Sequence, residues 1–178
     1  MNIVEKYLLI CASGIAIAGA VQDVRGGRIP NWLTYPAILA ALAVRSILSG
    51  WPGLESGLVG WLVAGGIFYV LFLLGGMGGG DVKLMAAVGA WAGNSQVVAI
   101  LIAAAIAGGA LAVFYMVSRK QLWLTLLNTG ELLRHHATVG LKPHPVLNVR
   151  EPSTMRVPYG LAIAMGTLYC AGNVIWWR

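Results

Sequence analysis

From Leu84 to Ser118 the chain carries no charge at all. An apolar run of this length has its backbone satisfied most simply as α-helix inside a lipid bilayer, where no water is available to the peptide groups. It is too long for one crossing, because a helix needs roughly 17–25 residues to pass a hydrocarbon core of about 30 Å. Gly93-Asn94-Ser95 is a turn signal that divides it. Further uncharged runs cover residues 7–22, 57–74 and 158–177, and residues 32–49 form another with Arg45 near its far end. Arg45 is expected to snorkel to the interface along its aliphatic stem. These runs predict an all-α integral membrane protein, a bundle of about six transmembrane helices over residues 7–22, 32–49, 57–74, 82–92, 96–117 and 158–177. The fourth is short. At about 1.5 Å per residue it cannot cross the membrane, so it is buried among its neighbours or starts at membrane depth.

Composition agrees. Hydrophobic residues make up 58% of the chain and charged residues 10%, against about a quarter charged in soluble domains. The net charge of +6 would raise the question of nucleic acid in a soluble protein. Here the basic residues gather in a few connections, with no basic stripe interleaved with aromatics, which points to membrane orientation and anionic lipids. Nine of the twelve Lys and Arg residues follow the first, third and fifth spans. The positive-inside rule therefore puts those connections in the cytoplasm and both termini outside. The longest, about 118–157, places Trp123, Leu126, Leu127, Gly130 and Leu133 on one helical face, which reads as an amphipathic cytoplasmic helix. The whole chain, 1–178, reads as a single polytopic domain. Trp32, Trp51, Trp91, Trp123, Trp176 and Trp177 fall near span ends as interface anchors, whereas Trp61 is expected to pack inside.

Metal and cofactor chemistry find little support. Cys11 and Cys170 each lie in an apolar run and read as buried thiols, without a CxxC pair. His135 and His136 are adjacent, so on a helix they diverge by about 100°, a poor pair of ligands. His144 sits between two prolines. No metal and no cofactor are expected.

The acids are more informative. Of six, Asp23 follows the first span and Asp81 the third, so both fall on the cytoplasmic side, whereas Glu55 follows the second and falls opposite. Span parity lets only Asp23 and Asp81 meet. Asp23 closes a helix, where the macrodipole opposes a negative charge; its bland role is an anchor paired with Arg25 or Arg28. Asp81 ends Gly75-Gly76-Met77-Gly78-Gly79-Gly80-Asp81; its bland role is a cap on the next helix. Five glycines before an acid exceed what a cap requires, and they allow another backbone to come close. Two carboxylates on one side of a bundle suit aspartyl peptide hydrolysis, one ionised to activate water and one protonated to polarise the scissile carbonyl. The helix dipoles assign the base to Asp81, at a helix start, and the proton to Asp23, at a helix end. The same residues would also serve a small transporter or a proton or cation pathway.

Asp23-Val24-Arg25-Gly26-Gly27-Arg28-Ile29-Pro30-Asn31 resembles the prepilin peptidase stretch in which a catalytic Asp precedes Ile-Pro-Asn. Gly78-Gly79-Gly80-Asp81-Val82-Lys83-Leu84 resembles that family's GxGD motif, and Pro158-Tyr159-Gly160 the start of its last helix, with Leu161 where a proline is common. The resemblance implies a bacterial cytoplasmic-membrane aspartyl protease, active at the cytoplasmic side. It would remove a short basic leader from type IV prepilins, just before their hydrophobic helix. It makes Asp23 and Asp81 the catalytic pair, with Gly78, Gly80, Lys83, Pro30 and Asn31 supporting the substrate. Larger members add a cysteine-rich cytoplasmic segment and methylate the new N-terminus. This chain resembles the compact type of the tight-adherence (Flp) pili, expected to cleave without methylating. The partners implied are the prepilin and membrane lipids; the oligomeric state is left open.

Overall fold

A computed structural model of the chain describes residues 3–118, 130, 131, 134, 138 and 158–177. The elements are α1 (Ile3–Gly26), α2 (Asn31–Leu73), α3 (Gly79–Ala92), α4 (Val97–Ser118) and α5 (Tyr159–Trp177). Four of them, α1, α2, α4 and α5, are long and apolar enough to cross a membrane. The protein is an all-α, multi-span membrane bundle. The expected amphipathic helix, most of the loop 118–157, Trp123 and the histidines lie outside the described residues.

α2 is two limbs. Gly50 has φ 61° and ψ −147°, a conformation open to glycine and costly for other residues, and it breaks the helical path. Pro52 follows in the first turn of the second limb, where its missing N–H costs nothing. The limbs fold back on one another: a Cβ on Gly57 would lie 3.1 Å from Leu42 Cδ2. In a straight helix those residues would stand about 22 Å apart. Sequence reading ends one span at Ser49 and begins the next at Gly57. The connection is instead a single residue, and Glu55 lies in the early turns of the second limb, near the helix end that favours an acid.

The second limb carries a stripe of small residues, Gly53, Gly57, Gly60 and Ala64, at helical spacing and all buried. Against it lies α3. A Cβ on Gly60 would strike the carbonyl of Gly89, and one on Gly89 would strike the carbonyl of Gly60. The backbones thus meet at a glycine crossing, the close approach that membrane helices use in place of bulky packing. α3 is the centre of the bundle: every residue from Leu84 to Ala92 is buried. α1 packs between α3 and α5, and α5 between α1 and α4.

α3 ends at Gly93, φ 69°, as the turn signal predicts. Its last carbonyls have no partner within the helix and need others. Arg45 supplies them. Its Nε donates to Ala90 O at 3.0 Å and its Nη2 to Trp91 O at 2.9 Å, while Nη1 donates to Ser56 Oγ at 3.3 Å. Arg45 is 3% exposed, so the snorkelling expected of it does not occur. Its guanidinium is instead held inside the protein by a two-pronged bond. Trp91 is likewise no interface anchor. It is buried, and its indole N–H donates to Ala37 O at 2.9 Å. Trp32, Trp51 and Trp176 are exposed, and Trp61, well within the second limb of α2, is 37% exposed. Of the two thiols, Cys170 is buried and Cys11 exposed.

Candidate active site

α1 stops just after Asp23. Gly27, φ 60°, takes the left-handed position that ends helices, and its N–H returns to Asp23 O at 2.8 Å. The chain then runs through Ile29 to Pro30, which sits extended (φ −75°, ψ 146°) ahead of Asn31, the first residue of α2. Ile29 is buried and lies directly on Gly80: a Cβ there would be 3.1 Å from Ile29 Cβ and 3.3 Å from its backbone nitrogen. The two short motifs named by sequence are therefore one packed unit. Ile29 fills the notch that Gly80 leaves, so the segment after Asp23 rests on the residue before Asp81.

Further up the same two helices, Gly19 of α1 receives the side chain of Leu84 of α3. The helices run antiparallel, since Ser95, just past α3, donates to Glu5 at the start of α1 at 3.5 Å. One turn from the Gly19–Leu84 contact, toward the same end of the bundle, α1 carries Asp23 and α3 carries Asp81. Both acids are partly buried.

Each carboxylate also holds the start of a helix. Asp81 Oδ2 accepts the N–H of Gly78 at 3.2 Å, the acid half of a capping box whose other half Gly78, having no side chain, cannot supply. Asp23 Oδ2 accepts the N–H of Gly160 at 2.9 Å. That donor lies in the first turn of α5, where helix N–H groups lack internal partners. A Cβ on Gly160 would stand 3.0 Å from both Cβ and Oδ2 of Asp23, so the approach requires a small residue. This contact joins residues far apart in sequence, and nothing in the local pattern announces it beyond the Pro158-Tyr159-Gly160 helix start. It acts against the dipole asymmetry that gives the base to Asp81: Asp23 lies near the unfavourable end of α1 but also at the favourable start of α5.

Tyr159 completes this end. Its ring meets Phe68 of the second limb edge-on, with centroids 5.9 Å apart at 71°. Its hydroxyl lies against Gly108 of α4, and the charge of Asp81 reaches it. The Pro158-Tyr159-Gly160 motif alone assigns Tyr159 no role. Lys83, one turn into α3, donates to Asn31 Oδ1 at 2.9 Å and stands 5.2 Å from the centre of the Tyr35 ring. Beside it an apolar groove of about 550 Å³ runs along the two limbs of α2, lined by Tyr35, Trp61, Gly66, Tyr69, Val82 and Lys83 among others. Asp23, Asp81, Gly78, Gly80, Lys83, Pro30 and Asn31 thus gather at one end of the bundle. Among the described residues no three His, Cys, Asp or Glu side chains converge as a metal-ligand set.

Residues 9–113 match the family described as the type IV leader peptidase family. Two curated relatives, the prepilin leader peptidase/N-methyltransferases of Burkholderia pseudomallei strains 1026b and K96243, are each 33% identical over 110 residues. The match covers 57% of this chain and 34% of each relative, so it spans about a third of their length. No solved structure matches the chain.

Proposed function

The chain belongs to the type IV leader peptidase family, and from that premise we propose that it is a membrane aspartyl endopeptidase that removes the short basic leader of type IV prepilins. The observation that carries this reading is the packing of Ile29 on Gly80, which ties the helix end bearing Asp23 to the helix start bearing Asp81. Asp23 and Asp81 act as a dyad. One, ionised, takes a proton from water as the water attacks the scissile carbonyl. The other, protonated, donates to the carbonyl oxygen as charge develops on it; the first then passes the proton it took from water to the leaving nitrogen as the C–N bond breaks, and the second takes its proton back as the new carboxyl group forms. The two share a proton, so titration belongs to the pair rather than to either residue. Gly78 lets the substrate backbone approach, Gly80 supports the site by seating Ile29, and Pro30, Asn31 and Lys83 shape the rim. No cofactor enters this reaction.

In this reading the domain is 1–178, with six membrane-embedded helices: α1, the two limbs of α2, the short α3, α4 and α5. The site faces the cytoplasm of a bacterial inner membrane, and the substrate is a pilin of the tight-adherence (Flp) kind, with its hydrophobic helix in the bilayer. Reporter fusions after Gly53 and Asn94 should report outside and a fusion near Lys142 inside; a cytoplasmic signal at Gly53 removes the parity that pairs the acids. The direct test is co-expression with candidate prepilins. A leader-sized mobility shift is expected with the wild type and not with Asp23→Asn or Asp81→Asn. Ion flux through liposomes without cleavage would favour the transport reading.

A further inference from the structure

Arg45 is a cation buried inside a membrane-spanning segment, which is expensive and marks a task. The peptidase chemistry above does not use it. Its surroundings are built to receive it. Gly57 leaves room for its stem, a Cβ on Gly93 would strike its guanidinium, and the field of Glu5 reaches it from the start of α1. Ser56 both accepts from Arg45 and donates to Asn94 Oδ1 at 2.9 Å, and it also accepts the N–H of Asn94 at 3.2 Å. The turn after α3 is thereby tied into the same network. The guanidinium spans two successive carbonyls, Ala90 O and Trp91 O, with a planar fork that fixes direction as well as distance.

α3 differs from its neighbours in being too short to reach both faces of a membrane. Its 14 residues give about 21 Å, short of the membrane thickness. Helices that cross have their depth set by anchors at both interfaces. α3 lacks the length to reach both. Its glycine crossing with the second limb gives lateral contact but little resistance to sliding, since small residues offer few steps to catch on. Movement along its axis is opposed by the Arg45 fork and the Trp91–Ala37 bond at one end, by Leu84 seated on Gly19, and by the Ile29–Gly80 and Lys83–Asn31 contacts at the other; among these only the fork grips the last carbonyls at two points.

We propose that Arg45 is a positioning residue for the peptidase site: by holding the last carbonyls of α3 it fixes the depth at which that helix presents Asp81 to Asp23. The proposal rests on the peptidase reading. It is tested with Arg45→Met and Arg45→Lys in liposomes, by steady-state cleavage of prepilin and by amide hydrogen exchange along α3. With Arg45→Met, kcat per inserted molecule should fall at least about tenfold, since misplacement of a reacting group by about 1 Å suffices for that. KM should stay within about twofold, because substrate binding is not what the fork holds. Arg45→Lys, which reaches one carbonyl instead of two, should give an intermediate kcat. Exchange should speed up at both ends of α3, residues 79–82 as well as 89–92. Wild-type kcat in Arg45→Lys together with loss of protection confined to 89–92 would make Arg45 a local cap and overturn the proposal. If Arg45→Met does not insert, Arg45→Lys decides on the same two readouts. If the wild type itself fails to cleave any prepilin, the peptidase reading falls, and the exchange pattern still decides whether the fork sets the helix.

Discussion

Toward its C-terminal end α3 is enclosed, with every residue from Leu84 to Ala92 buried and its carbonyls held by Arg45, whereas from Gly79 to Lys83 every residue is only partly buried. The C-terminal end is closed by side chains reaching in from α2. The N-terminal end is held by contacts of glycine: Gly78 on Asp81, Ile29 on Gly80, and Gly160 on Asp23. Side-chain packing gives rigidity but fills space. Glycine contacts position backbone while leaving room above it. A helix meant to present a carboxylate to an incoming peptide needs the first property behind the acid and the second around it.

The sharpest way to break this comparison is at the acids. Asp23→Asn and Asp81→Asn should each lower prepilin cleavage on the order of 10³-fold or more, the scale of losing a general acid or base. The double variant should be little worse than either single one, because a dyad acts as a unit. Both variants should insert at wild-type levels, since asparagine can still accept the N–H of Gly160 or Gly78. Cleavage per inserted molecule, measured against membrane abundance, checks both statements. Full activity in either variant would leave the N-terminal end of α3 without a chemical purpose.

Much of this end is legible in the sequence, and the reasons are local. A charge in an apolar run stands out, and counting spans decides which acids share a side. Gly93-Asn94-Ser95 ends α3 where the turn signal falls. The packing partners are not legible. Arg45 reads as a snorkelling residue because nothing near it reveals that α3, remote in sequence, ends beside it and leaves carbonyls to satisfy. Trp91 looks like an interface anchor because its partner, Ala37 O, is equally remote. The fold at Gly50 is hidden because Pro52 and Glu55 look like loop residues, although both are well suited to a helix start. The Gly160–Asp23 bond has no local trace, and it acts against the dipole argument that gives the base to Asp81.

Substitutions of glycine should separate the two ends. Gly160→Ala puts a methyl group 3.0 Å from Asp23 Cβ and Oδ2. The acid must shift, and kcat should fall about 10–100-fold with little change in unfolding midpoint, as expected when a reacting group is displaced. Gly89→Ala meets backbone of the second limb and the Ala64 side chain instead. It should cost about 1–3 kcal/mol of stability, the usual penalty of overpacking. Because the strain is lateral and the Arg45 fork still sets depth, kcat of the folded fraction should stay within about threefold of wild type. Equal losses of stability and activity in both variants would erase the distinction between the ends. Trp91→Phe is gentler. It keeps most of the ring volume and removes the bond to Ala37 O, so stability should drop by about 1 kcal/mol, the net value of one such bond. Detergent unfolding midpoints would measure it, and cleavage by the folded protein should be unaffected.

The smallest effect is expected at Lys83, on the rim of the end that carries the acids. Its ammonium makes one hydrogen bond, to Asn31 Oδ1, and lies near one face of Tyr35. Asn31 and Tyr35 are exposed, so both interactions compete with water and head groups. Hydrogen bonds in such settings are worth about 0.5–1.5 kcal/mol, and an exposed cation–π contact about 0.5–1 kcal/mol. Lys83→Met should therefore change stability by less than about 1 kcal/mol once the lost pair is set against easier burial of the new side chain. Its kinetic signature is more telling than its size. If Lys83 only ties α3 to the start of α2, Lys83→Met and Asn31→Ala should act through one shared contact, and the double variant should match the more damaging single one. If Lys83 also meets substrate, as its place beside the apolar groove allows, Lys83→Met should raise KM beyond what Asn31→Ala does, with kcat unchanged. A double-mutant cycle read in both stability and KM separates the two. Additive stability losses would mean that the 2.9 Å bond contributes nothing, and KM equal to wild type in Lys83→Met would remove Lys83 from the substrate-supporting set.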